Sequence, residues 1–383
     1  AAMRSLAAVW RDFTPFGRVL GALFLVFCLT VPLWGSSYHV TVGTTVFYLA
    51  LIGQSWNLML GFAGLLSIGH ALFVGIGAYT SAYLFASLGI PPIVGVLPAI
   101  ALAVIVGAFI GYLGFRFAIG GVYFALLTIA FAELSASSRS RRHARRDPGF
   151  LSQGVGSRPP QRRSGQLRGT TEMFYYVIMG LTVGALMLCW YILRSKLGYY
   201  WQAIRDDEEA AQSLGVNVFR YKMYAVVVSS GMAGVAGVFY AFYQNSLFPE
   251  IVFNIERSIE YTLGPIVGGV GTLFGPIFGT FLLTPLGEVI TELIDLLKSI
   301  GVIDPNQKLD GLKLLVWGFV VVLIVLFKPK GLWPWFRDVL RLTRRPAAGA
   351  GPDQPEPSPA GDSEAPPDTD AEPAGANRSE SGA

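Results

Sequence analysis

The sequence predicts an all-α, polytopic membrane protein with roughly 8–10 transmembrane helices, and three observations carry that prediction. Of 383 residues, 52% are hydrophobic and only 14% charged, whereas a soluble globular chain carries about 25% charged residues. Apolar segments recur along the chain at or near the length of about 20 residues that a spanning helix needs. The strict alternation of barrel strands is missing. Inside lipid the backbone must satisfy its own hydrogen bonds, so apolar runs of this length are helices.

The segments fall near 18–36, 42–60, 70–88, 95–115, 118–134, 173–193, 223–245, 261–283 and 313–327, with a weaker one at 285–297. The first follows a basic flank of Arg4, Arg11 and Arg18, as a secretory signal would. No small-x-small cleavage pattern follows "VPLWGSSYHV", however, and further spans come directly after it, so it reads as a retained helix. Cys28 and Cys189 both sit in apolar runs and read as small hydrophobes. His39, His70 and His143 show no ligand spacing, so no metal site and no disulfide is expected.

Orientation follows from Lys and Arg near the span ends. Basic residues gather at Arg4, Arg11 and Arg18, again at Arg194, Lys196, Arg205, Arg220 and Lys222, and finally at Lys328, Lys330, Arg337 and Arg341. The short turn "GSSYHV" has none. All three basic zones are therefore expected in the cytoplasm, together with both termini, which requires an even number of spans and makes 285–297 a short or broken crossing. The expected organisation is an N-terminal cytoplasmic segment (1–17), a transmembrane domain (18–335) holding a cytoplasmic loop (194–222), and a tail (336–383). The tail, rich in Pro, Ala, Gly, Ser, Asp and Glu, lacks the apolar residues to order itself.

Within the loop, "AIRDDEEAAQSLGVNVFRYK" (203–222) places four consecutive acids, Asp206, Asp207, Glu208 and Glu209, in an otherwise apolar chain. Asp206 with Glu209 three residues later matches a capping box, and acids suit the positive N-terminal end of a helix. Ala210, Ala211 and Leu214 then share one face, and Gly215 is a ready C-terminal stop. The expected product is a two-turn helix, small-faced where a partner approaches closely; a plain solvated loop helix is the alternative reading.

"EAAQSLG" (209–215) resembles the Glu-Ala-Ala-x3-Gly element in the cytoplasmic loop of ABC importer permeases. A longer stretch, "NLMLGFAGLLSIGHALFVGIGAYTSAYL" (57–84), closely resembles the branched-chain amino acid permease family in its LivM-type branch. "YFALLTIAFAEL" (123–134), "GGVGTLFGPIFG" (268–279) and "FKPKGLWP" (327–334) are similar to further blocks of that family, in the same order. The resemblance covers about residues 20–134 and 170–335. It implies a permease subunit of the inner membrane, itself not an enzyme and binding no cofactor. Such a subunit pairs with a second, homologous permease and with two ATP-binding subunits that use ATP and Mg, and it receives solute from a periplasmic binding protein. Lipid surrounds it, and no nucleic acid is involved. The charged island becomes the coupling helix that docks on the ATPase. The implied cargo is a branched-chain or other apolar amino acid, with urea or short amides as the alternative. An ion-gradient-driven secondary transporter is the rival from another class, and it would need buried carboxylates or cation pairs that the spans show sparingly.

Glycines at membrane depth permit close helix contact or a break that lines a cavity. Gly61, Gly64, Gly69, Gly75 and Gly77 form one such cluster, and "GPIVGGVGTLFGPIFG" (264–279), with Gly268, Gly271, Pro265 and Pro276, forms another. One interrupted segment in each half suggests an internal repeat around a midplane path. Asn57, Ser67 and His70 are polar at that depth and are candidates for the path; structural bonding to a neighbouring helix is their other reading. Glu133, at a span end, is a candidate gate. Residues 135–168 are anomalous. They hold nine arginines, no lysine and one acid, Asp147, on the side where the positive-inside bias expects few cations. A basic docking patch and a disordered insert are possible accounts. The preferred one is a pair of compensating frameshifts, which would leave the stretch irregular.

Overall fold

A computed structural model describes residues 14–117, 119–145, 170–244, 247–300 and, with 320 and 325 excepted, 318–340. Every regular element among them is helical. The first helix among the described residues is α1 (Pro15–Trp34), where the Thr14 side chain accepts from the Gly17 N–H and proline occupies the first turn. That is a favourable start, since proline lacks only a donor that would be orphaned there anyway. Leu23, Val26 and Phe27 of α1 remain uncovered, as a lipid-facing helix requires.

The hub is α2 (Ser37–Asn57), buried continuously from Val46 to Asn57. It packs on α6 (Thr171–Leu193), α11 (Ile255–Gly268), α12 (Gly275–Ser299) and α9 (Val218–Gln244). Tyr175 on α6 donates to the Cys28 carbonyl at 2.7 Å, and Thr182 to the Phe47 carbonyl at 2.9 Å. These bonds fix α1, α2 and α6 as one group.

A second group joins α3 (His70–Leu88), α4 (Pro92–Arg116) and α9. Here small residues set the distance. A Cβ on Gly77 would strike the Gly234 backbone, and one on Gly237 would strike the Val74 carbonyl. Without a hydrophobic drive between helices in lipid, such close backbone approach is what holds them together. The helix α5 (Val122–Arg145) packs on α3, α4 and α11, and the short α13 (Leu332–Val339) on α11 and α12.

Among the described residues, six helices are long and apolar enough to cross a membrane: α1 from Gly17, α2 with its extension to Phe62, α3, α4, α6 and α9. A shorter apolar stretch, Val122–Ser137, lies within α5. The polytopic helical class is thus what the sequence predicts, but several boundaries differ. The apolar run 261–283 is not one span. It ends as α11 at Gly268 and resumes as α12 at Gly275, and the weak segment 285–297 is simply the second half of α12. Of the arginine-rich stretch 135–168, the first eleven residues continue α5 to Arg145 rather than being irregular, and the remainder lies outside the described residues. Helix α1 begins at Pro15 rather than 18, and α13 runs through position 336, the expected start of the tail. The rest of that tail lies outside the described residues.

Candidate coupling and translocation site

Each glycine cluster contains a helix break, while Gly75 and Gly77 of the first lie inside α3. Past Asn57, α2 widens into a π-helical turn, Leu58–Phe62, and stops at Gly64, whose φ of +71° suits glycine. The backbone then runs without regular structure through 65–69 to His70. Hydrogen bonds hold this segment at several points. Trp56 Nε1 donates to the Ser67 carbonyl at 2.6 Å, and Ile68 N–H donates to Thr128 Oγ1 at 3.3 Å. Ser67 Oγ lies 3.4 Å from His70 Nδ1, and His70 Nε2 lies 3.0 Å from Ser229 Oγ on α9. Ser55 on α2 donates to the Ser229 carbonyl at 2.8 Å, and Ser229 returns a bond to the Ser55 carbonyl at 2.9 Å. Ser67 and His70 are therefore fully buried, with hydrogen-bond partners inside the bundle.

The second break, 269–274, joins α11 to α12. Thr272 Oγ1 donates to the Gly269 carbonyl at 2.7 Å and accepts from Gly275 N–H at 3.1 Å. Gly271 adopts φ +76°. A Cβ on Gly268 would overlap the Gly275 carbonyl, so glycine at 268 is needed for the two half-helices to meet.

Asn57 ties the two breaks to each other. Its Oδ1 accepts from Gly271 N–H at 2.8 Å, and its Nδ2 donates to the Thr272 carbonyl at 2.9 Å. Gly61 makes the approach possible, because a Cβ there would sit 2.5 Å from the Gly271 nitrogen. The Gly61 carbonyl in turn accepts from Arg205 Nη1 at 2.8 Å. Arg205 packs against Gly64 as well, and its remaining donors engage the Asp206 carboxylate at 2.8 and 3.0 Å. A single asparagine and a single arginine thus connect both breaks to the charged island.

The island itself differs from expectation by one residue. Asp206 closes α7 (Lys196–Asp206), which is anchored by the buried Trp201 and Ile204, with Trp201 Nε1 donating to the Tyr221 carbonyl at 2.8 Å. The cap of α8 (Glu208–Ser213) is Asp207, in extended backbone, with Oδ1 accepting from Ala210 N–H at 2.9 Å. The capping box of Asp206 with Glu209 is corrected accordingly: Asp206 pairs with Arg205 instead. Glu208 pairs with Lys222 on α9 at 2.5 Å. Gly215 ends the helix at φ +84°, as anticipated. The expected shared face of Ala210, Ala211 and Leu214 splits: Ala211 is buried, whereas Ala210 is exposed and Leu214 is 86% exposed. Ala210, Leu214 and Gly215 stay uncovered at the end of the loop.

Glu133 is exposed on α5 rather than enclosed in the bundle. Two polar contacts are not evident from the sequence. Arg205 reads there only as a basic charge. The ion pair of Arg257 Nη1 with Glu260 Oε2 (2.8 Å) on α11 lies just before the apolar run starting at 261, so it looked like loop charge.

Membrane-length helices with two clasped breaks, and a short helix linked to that clasp, define a polytopic transport protein of the permease class. The chain belongs to the family described as the branched-chain amino acid transport system permease component, whose model matches residues 38–326. It is 28% identical over 355 residues to the high-affinity branched-chain amino acid transport system permease protein LivM of Salmonella typhimurium, covering 85% of this chain and 77% of that protein. The LivM of Escherichia coli is 27% identical over 350 residues, with the same coverage. A nucleoside ABC transporter permease, NupC of Lactococcus lactis, is 25% identical over 165 residues, covering 40% of this chain and 47% of its own. No solved structure matches. The chain is therefore a membrane component of a transport system that works with other subunits.

Proposed function

We propose that this chain is the permease subunit of an ATP-driven importer for branched-chain or other apolar amino acids, and that the α7–α8 loop is its coupling element. The observation that carries the reading is the bond from Arg205, beside the island, to the Gly61 carbonyl. That bond gives a partner seated on α8 a short path to both helix breaks. In this reading two ATP-binding subunits, using ATP and Mg, face the loop from the cytoplasm, where both termini also lie. A second homologous permease completes the membrane unit, and a periplasmic protein delivers the solute. Hydrolysis occurs on the partners, and their rigid-body motion moves the clasp and hence the access of the path.

Support for an amino acid as cargo comes from the two LivM relatives and their broad coverage. The nucleoside permease and the autoinducer 2 import permease LsrC of Salmonella, 29% identical over 114 residues, are relatives that argue for another solute, and urea or a short amide is the further alternative. Uptake by the complete complex in proteoliposomes tests all of these. ATP-dependent accumulation of leucine or valine, but not of a nucleoside or urea, supports the proposal. Accumulation driven by an ion gradient without the ATP-binding subunits would refute it.

A further inference from the structure

The ion pair on α11 lies in a setting that a structural salt bridge does not need. Tyr261, one turn further along α11, has its hydroxyl 3.0 Å from that of Tyr48, and Tyr48 lies near the middle of α2. Arg257 is about 6 Å along the helix axis from that level, well within a hydrocarbon core of about 30 Å. The two charges are 41% and 34% exposed. Ionisable side chains at that depth face the bundle interior or a wet cavity rather than lipid, and they mark solute paths.

Three elements converge around the pair. The Tyr240 ring on α9 stacks on Tyr48, with centroids 5.6 Å apart, and the Tyr48 and Tyr261 rings meet edge to face at 6.1 Å. Tyr261 sits one helical turn after Arg257 on α11, which brings the three rings next to the pair. The helix that presents the pair is held in place: Ser258 Oγ accepts from Ala71 N–H at 3.1 Å. The result is a net-neutral couple of one guanidinium and one carboxylate beside an aromatic wall.

We propose that Arg257 and Glu260 form a binding site for a zwitterionic solute within the permease; this rests on the amino-acid reading above. The guanidinium takes the solute carboxylate, with the planar fork that suits it. Glu260 takes the solute ammonium, and Tyr48, Tyr240 and Tyr261 face the apolar side chain. An arriving zwitterion exchanges one ion pair for two, so no uncompensated charge is left in the membrane. A neutral nucleoside or an amide has no use for such a couple.

The test uses the complete reconstituted complex with radiolabelled leucine as probe, a nucleoside and urea as comparison solutes, and co-purification of the second permease as the measure of assembly. Arg257→Gln and Glu260→Gln should each lower leucine uptake at subsaturating solute by roughly tenfold or more while assembly persists. If either fails to assemble, Arg257→Lys and Glu260→Asp keep the charges but lose the fork or the reach, and they should raise the half-saturating leucine concentration. Leucine uptake within about twofold of wild type in the assembled variants would overturn the site. So would loss of the second permease from all four variants, which would assign the pair to the subunit interface. A wild-type complex that carries no amino acid fails the parent reading, and this site with it. A wild type that carries leucine, together with assembled variants that carry it equally well without the pair, fails the site alone.

Discussion

Replacing Asn57 by Ala removes the side chain that ties the end of α2, where the first break begins, to the second break. Two backbone groups lose their partners: Gly271 N–H, now 2.8 Å from Oδ1, and the Thr272 carbonyl, now 2.9 Å from Nδ2. Leaving a buried polar group unsatisfied costs about 1–3 kcal/mol, whereas side-chain bonds measured within membrane proteins average about 0.6 kcal/mol. For two bonds these bounds are about 1 and about 6 kcal/mol, and a central value near 3 kcal/mol shifts a clasped-to-open equilibrium by about two orders of magnitude. Because Arg205 holds Gly61 and not Gly271, the island remains attached to the first break while the second break is released. Proteoliposomes holding the complete complex should then hydrolyse ATP but lose at least about tenfold in leucine uptake per ATP. Ser55→Ala is the control. It removes the contacts of Ser55 Oγ with the Ser229 carbonyl and hydroxyl on α9, costs about 1 kcal/mol, and should leave uptake per ATP near wild type. If Asn57→Ala keeps the wild-type ratio of uptake to hydrolysis, or if Ser55→Ala loses it equally, the clasp has no special role.

Gly61→Val should act like Asn57→Ala and more severely, because its Cβ would lie 2.5 Å from the Gly271 nitrogen; uptake per ATP in the same vesicles reads this. Arg205→Gln removes the link between the island and Gly61 but no part of the exposed docking surface. The ATP-binding subunits should therefore co-purify while uptake falls, and loss of co-purification would contradict that separation. Leu214→Asp places a charge on an 86% exposed side chain. It should weaken co-purification of the ATP-binding subunits while membrane insertion of this chain, measured by fractionation, stays unchanged.

Periodicity and length made the helical class and most spans legible, because an apolar run of membrane length has few alternatives to a helix. The glycine clusters were legible as breaks for a similar reason: Gly64 and Gly271 take up backbone that other residues resist. Hydropathy failed where the break was itself apolar. Residues 268–274 contain no charge, so a window across 261–283 sees one span where α11 and α12 are two pieces. Four consecutive acids offer several equivalent caps, and only the extended backbone at Asp207 singles one out. Asn57, Ser67 and His70 were legible as polar groups at depth, but not their bonding. The partners of Asn57 and His70 lie far along the chain, on Gly271, Thr272 and Ser229, and nothing local predicts such pairs, whereas Ser67 bonds its near neighbours Gly69 and His70. The Arg257–Glu260 pair was hidden because charges flanking an apolar run look like the end of a span.

In the proposed mechanism the α7–α8 loop is the place where a partner's motion enters the membrane. Ala210 is exposed on α8, its side chain taking no part in the cap bond made by its backbone N–H, so Ala210→Arg changes the docking surface and leaves the fold of the loop intact. The most direct measurement is ATP-dependent leucine uptake by the complete complex carrying Ala210→Arg, with co-purification of the ATP-binding subunits recorded on the same preparation. The account predicts that the variant inserts normally, loses its ATP-binding subunits and transports nothing above background. A variant that retains those subunits and takes up leucine at the wild-type rate would contradict it.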